Sequence, residues 1–235
     1  MGIVVLIKEK GAVMEIKKIK GALPYGFSNI EGTDRWIYQV DTTVDFYDNN
    51  MLAQIGTDLP GSEILFISFP EGKIYKPFER EKGIYYDKPA YFNGRLFFIK
   101  VDFNKREVFL LKYFVEENTC QELFTAAIED IDLYNLNLAK SPIMLYSQGQ
   151  SVEIYYPQRL SLKKEANESF IMRKDDDFYF YSWVEQGLER SGSLGEDYKY
   201  YEEIIIRDKN SKVLKKEKGN IFQMPNGDYW AFTEE

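Results

Sequence analysis

Asp34-Arg35-Trp36-Ile37-Tyr38 and Asp228-Tyr229-Trp230-Ala231-Phe232 stand near opposite ends of this chain and share one pattern, Asp-x-Trp-x-aromatic. Each follows a hairpin-like stretch and a glycine: Ile3 to Ile7 with Val13 to Ile19 ahead of the first, Ile204 to Ile206 with Val213 and Leu214 ahead of the second. Weaker copies of a turn leading into an aromatic strand occur at Asn93 to Phe98, Ser141 to Tyr146 and Asp176 to Tyr181. Self-similarity of this kind marks a repeat architecture, in which each copy is a unit that buries its apolar face only by stacking on its neighbours.

Period-two alternation recurs between the copies: Arg35 to Val40, Glu63 to Phe69, Arg95 to Val101, Glu107 to Tyr113, Val152 to Tyr156, Phe178 to Tyr181 and Glu203 to Ile206. These read as strands. Lys10-Gly11, Asp48-Asn49-Asn50, Glu71-Gly72, Asn93-Gly94, Asn104-Lys105, Gln148-Gly149, Asp208 to Asn210 and Asn226-Gly227 separate them as turn signals, a spacing that makes antiparallel hairpins. Glu122 to Ile131 reads equally as a helix or a strand, and no other segment reads as a helix. Taking Trp36, Phe97, Leu145, Phe180 and Trp230 as equivalent, the repeat averages about 47 residues, the length of a four-stranded propeller blade. The expectation is one all-β domain over residues 1–235, a β-propeller of five blades, or six if Ile64 to Phe69 marks a short extra one. Pairing of residues 3–19 with 221–232 would close the ring and remove two exposed edges. A two-sheet sandwich is the competing architecture.

The chain has 235 residues, and Tyr 18, Phe 17 and Trp 3 make 16% of it aromatic, which favours strands and half-buried surfaces. Histidine is absent, which excludes Ser-His-Asp and Cys-His nucleophiles and His-ligated metals. Thirty Lys and Arg against 38 Asp and Glu give a net charge of -8, so nucleic acid and anionic membrane are not expected partners. The lone Cys120 reads as a strand residue rather than a reactive thiol, having no flanking cation. The lysines follow the short apolar run Ile3 to Ile7 instead of preceding it, and no stretch is long enough to span a bilayer, so a cytoplasmic location is expected.

Met224-Pro225-Asn226-Gly227-Asp228-Tyr229-Trp230 is similar to the leucine-proline-asparagine-glycine turn of bacterial propeller repeats, such as those of arylsulfotransferase-like proteins, and the repeat grammar resembles the β-propeller superfamily. The resemblance implies the fold. The histidine-dependent activity of the arylsulfotransferases does not carry over to a chain without histidine. Without that residue, acid-base work would fall to carboxylates, with Asp34, Asp177 and Asp228 best placed to converge on one rim, as in the arabinan-cleaving enzymes that five-bladed propellers with such acids resemble. Each acid equally suits a turn that accepts backbone N–H groups. Trp36 and Trp230 read as core, whereas Trp183, beside the loop Gln186 to Asp197, reads equally as core or binding surface. Arg173 to Asp177 lacks the ligand spacing of a calcium loop and reads as a solvated hairpin turn. The expected function is a non-enzymatic binding or scaffolding module that recognises a protein or a glycan through Trp183, Asp177 and Asp228. No cofactor or metal is expected. The alternative is a glycan hydrolase or lyase using the three acids.

Overall fold

A computed structural model describes residues 4–9, 12–41, 44–140, 142–188 and 194–233. Strands β1 (Val4–Glu9) and β2 (Ala12–Lys17) form a two-stranded sheet. The first large sheet runs β3 (Phe27–Asn29), β4 (Trp36–Val40), β5 (Ile64–Ser68) and β6 (Ile74–Tyr75), with helix α1 (Phe46–Gln54) between β4 and β5. In the second, β7 (Ile84–Tyr86) and β8 (Ala90–Phe92) both pair with β9 (Arg95–Asp102), followed by β10 (Glu107–Phe114) and β11 (Thr119–Ala127). The third contains β12 (Leu136–Ala139), β13 (Met144–Gln148), β14 (Ser151–Tyr156) and β15 (Leu160–Lys163). The fourth contains β16 (Glu168–Lys174), β17 (Asp177–Leu188), β18 (Leu194–Arg207), β19 (Val213–Gln223) and β20 (Tyr229–Thr233). The chain is therefore all-β, built from successive antiparallel sheets.

Alternation along the inner strands explains how these sheets stack. On β9, Leu96 and Phe98 join Trp36, Ile64 and Phe66 in a core between the first and second sheets. Phe97, Ile99 and Val101 point the other way and pack with Leu136, Leu145 and Tyr155 between the second and third. On β13, Met144 and Tyr146 face Phe170, Phe178 and Phe180 between the third and fourth, while Leu145 faces back. Sheets covered on both sides need apolar residues in both phases, which is why Leu96 to Ile99 is a continuous apolar run. Trp36, Phe97, Leu145 and Phe180 accordingly occupy corresponding strands, β4, β9, β13 and β17.

Several expectations are corrected. The expected pairing of residues 3–19 with 221–232 is not among the described strand pairs: β1 pairs with β2, and β20 pairs with β19. Short loops close local hairpins at less entropic cost than joining the two ends of the chain. Trp230, expected in the core, is 56% exposed, because no further sheet covers its face of β20 among the described residues. Asp48 to Asn50 is not a turn: Asp45 caps α1 by accepting the Asp48 N–H at 2.8 Å, a local signal outweighed in the sequence by the Asp-Asn-Asn run. Residues 122–127 are strand and 128–130 a 3-10 turn. The stretch from Gln186 to Asp197 is not an irregular loop throughout, since β17 and β18 extend into it as hairpin arms to Leu188 and from Leu194; residues 189–193 lie outside the described residues. The expected turn at Lys10-Gly11 also lies outside them.

The remaining turns fall where the sequence places them. Asn93 and Gly94 both adopt positive φ, as a two-residue hairpin turn between β8 and β9 requires. Arg173 to Asp177 forms the β16–β17 hairpin. Residues 213–218 of β19 pair with β18, whereas 219–223 pair with β20, so the lysine-rich half of β19 has no partner strand on its far side among the described residues. Edge lysines there discourage sheet-to-sheet aggregation.

Candidate functional site

The fourth sheet presents one face that no other sheet covers among the described residues, and its composition follows directly from strand phase. Phe178 and Phe180 are buried inward, so Tyr181 and Trp183, one residue out of phase, point outward on β17. Trp183 pairs with Glu202 on β18, placing Tyr200 and Glu202 on the same face. On the terminal hairpin, Asn220 pairs with Phe232 and Phe222 with Trp230, so their aromatic rings share one face. Asn220 Nδ2 donates to Glu202 Oε2 at 2.8 Å and joins that face to the rest of the sheet. The Tyr181 and Tyr200 hydroxyls donate to Glu202 Oε1 at 3.0 and 3.1 Å. These bonds to a carboxylate hold the proton on Tyr181, whose hydroxyl pKa is raised, led by its interaction with Tyr200.

The result is a carboxylate held by Tyr181, Tyr200 and Asn220 on a face that also carries exposed rings. Trp183 is 44% exposed, and Tyr200, Phe222, Trp230 and Phe232 are each about half exposed. Phe232 contacts Phe222 edge-on at 5.7 Å and Trp230 at 6.5 Å between centroids. Such a surface can stack planar or sugar-like rings while Glu202 and Asn220 offer hydrogen bonds.

Below this face a buried ion pair stiffens the sheet. Arg207 Nη2 donates to both Glu168 oxygens at 2.7 and 2.9 Å, and Glu168 also accepts the Glu165 N–H at 3.0 Å. The Arg207 guanidinium lies 5.7 Å from the Phe180 ring centre.

The sequence-predicted acids are distributed among turns. Asp34 is exposed between β3 and β4, and Asp228 is exposed between β19 and β20, where Oδ2 accepts from Asn226 Nδ2 at 2.7 Å and its own N–H donates to Asn226 Oδ1. Asp177 is partly exposed at the β16–β17 hairpin, paired with Lys174. The Asp34 and Asp228 turns do meet: Gly32 N–H donates to Pro225 O at 3.1 Å, and a Cβ on Gly227 would lie 3.1 Å from Gly32 Cα. None of the three acids lines the cavity at the meeting point of the four sheets. Of the predicted binding residues, Trp183 alone joins the aromatic face.

That cavity, of about 250 Å³, draws Glu31 and Tyr38 from the first sheet's side, Lys88 from the second, Lys140 and Tyr146 from the third and Tyr229 from the fourth. A smaller neighbouring one, of about 200 Å³, holds Asp45 and Asp87. Burial raises the Asp87 pKa against the N–H bond it accepts from Lys88 at 2.7 Å and the Lys88 charge. Sequence reading missed Asp87 because its acidity depends on enclosure by residues far along the chain. It missed Glu202 too, although Tyr198, Tyr200 and Glu202 alternate visibly. Burial pushes the Cys120 thiol up to about 12, which keeps it protonated and unreactive near neutral pH.

The chain matches no protein-family model, and no curated protein matches it. Among the described residues no helix is long and apolar enough to cross a membrane. No group of three or more Cys, Asp or Glu residues suited to a metal ion occurs among them either.

Proposed function

We propose that the protein is a non-enzymatic binding module of β-propeller type whose four large sheets act as blades, and that the exposed face of the fourth sheet binds a glycan chain. The carrying observation is the set of exposed rings at Trp183, Tyr200, Phe222, Trp230 and Phe232 together with Glu202. Rings alone would serve a protein partner equally well. A carboxylate that accepts from two tyrosine hydroxyls and an amide adds the directed polar contacts that orient sugar hydroxyls, and this favours a glycan. The net charge of -8 favours a neutral or basic polymer over an acidic one. Four successive meanders, with Trp36, Phe97, Leu145 and Phe180 on corresponding strands, support the blade reading.

Titration with neutral and amino-sugar oligosaccharides, followed by tryptophan fluorescence, tests this reading. Trp183→Ala and Trp230→Ala are expected to weaken binding about tenfold or more each, in line with the loss of a central aromatic anchor. Both positions are exposed, so the fold should survive. Binding by the wild-type protein that neither substitution alters would remove this face from consideration, and failure of every glycan to bind would move the partner to protein.

One observation favours a second reading, hydrolysis: Asp87 and Asp45 share a cavity, and the Asp87 pKa is raised. Asp45 is committed to capping α1, however, which leaves one free acid where such chemistry needs two. Release of reducing ends from the same oligosaccharides, abolished by Asp87→Asn, would establish it.

A further inference from the structure

The cavity where the four sheets meet contains donors that the fold itself does not use. Tyr146 is only 8% exposed and lines this cavity, yet its hydroxyl has no hydrogen-bond partner among the described residues. The Tyr229 hydroxyl, on a half-buried residue, and the Lys88 ammonium, on an exposed one, are also in the lining and make no side-chain hydrogen bond or ion pair there among the described residues. A phenol that lines a cavity and is not engaged by the fold is suited to donate to something that enters the cavity.

Lys140 is partly committed. Its ammonium donates to Glu31 Oε2 at 2.8 Å and to Gln223 Oε1 at 3.3 Å, which leaves one of its three N–H groups over. Because Glu31 balances Lys140, Lys88 remains as the surplus charge of the lining. Asp87, its neighbour in sequence, senses that charge but belongs to the adjoining cavity. Burial pushes the Tyr146 hydroxyl up to about 12 and raises Tyr229 as well, so both remain O–H donors at neutral pH.

We propose that this cavity is a second binding site, for a small organic carboxylate of monosaccharide size, with Tyr146, Tyr229 and Lys88 donating to the carboxylate. A carboxylate is acceptor-only and matches a lining with spare donors whose acidic member is already occupied. A single surplus cation suits a monoanion. A phosphate dianion calls for the arginine forks or helix N-termini absent from the lining. At about 250 Å³ the space is smaller than sites for drug-sized molecules, which begin near ~300 Å³, and suits a ligand of monosaccharide size. It is distinct from the aromatic face and independent of that surface's ligand.

Calorimetric titration of the full chain with D-glucuronate, D-glucose and inorganic phosphate tests the assignment. The expected result is saturable glucuronate binding, at least about tenfold weaker for glucose and for phosphate, since the discriminating group is the carboxylate. Tyr146→Phe, which removes one oxygen and preserves the ring, and Lys88→Met should each weaken glucuronate binding severalfold. Trp183→Ala should leave it unchanged. Equal binding of glucose, tighter binding of phosphate, no saturable glucuronate binding, or glucuronate binding indifferent to both cavity substitutions would each overturn the proposal.

Discussion

Among the described residues, Asp87 is the carboxyl group at which the fold opposes ionisation. Desolvation raises its pKa, so between the unfolded value of 3.8 and the raised folded value the native state holds more protons than the unfolded chain. Stability therefore falls as pH rises through that window, and the penalty is fully present above it. Asp87→Asn keeps an oxygen to accept the Lys88 N–H and removes the charge. We expect the variant to melt higher than the wild type at pH 7, with the advantage shrinking as pH falls through that window and gone well below the unfolded value of 3.8, where Asp87 is neutral in both states. Thermal denaturation at pH 7 and in that acid range checks this; an advantage that persisted unchanged in acid would show that charge is not its cause. The buried Glu168–Arg207 pair is a different arrangement, because each ion there has several partners and the pair ties β16 to β18 across β17.

At the scale of elements, Gly219 lets β19 change partner. Its φ of +143° lies outside the range that L side chains favour, and an added Cβ would meet Phe232 O at 2.2 Å, so only glycine passes from the β18 pairing to the β20 pairing here. The β1–β2 hairpin, by contrast, is a two-stranded sheet of its own. Its strands pair with each other, and the described bonds at its base run from Lys17 Nζ to Pro70 O and Glu71 O. Removing residues 1–16 keeps those bonds, and a two-stranded ribbon contributes little by itself. We expect the truncated protein to melt within a degree or two of the intact one; a larger drop would show that the hairpin supports the first sheet. Strands and most turns were legible in the sequence because alternation and Asn-Gly or Glu-Gly pairs are local signals. Helix α1 was not, because Phe46 to Gln54 has no marked apolar face and follows only the Asp45 cap.

For the molecule as a whole, stability resides in the three cores between consecutive sheets. Trp36 is 6% exposed in the first of these and contacts Tyr75 edge-on at 5.5 Å. Trp36→Ala should cost about 3–5 kcal/mol, the usual penalty for deleting a large buried aromatic. Trp230→Ala should change stability by no more than about 0.5 kcal/mol, as surface substitutions do. Chemical denaturation of the two variants measures the contrast, and comparable losses would mean that the Trp230 face is covered in solution. The two tryptophans share a local sequence pattern and differ only in what lies above them.

Alternating residues and turn pairs determined by themselves that this chain forms antiparallel strands, where most of those strands turn, and which side chains share a face, because those properties depend on neighbours a few residues away. The same signals placed Trp36, Phe97, Leu145 and Phe180 on corresponding strands. Only the tertiary structure decided which faces are covered. Phase puts Trp183 and Tyr181 on one side of β17, but whether that side is core or surface depends on whether another sheet stacks there. The cavity holding Tyr146, Tyr229 and Lys88 is still less local, since its lining comes from all four sheets and exists only once they pack.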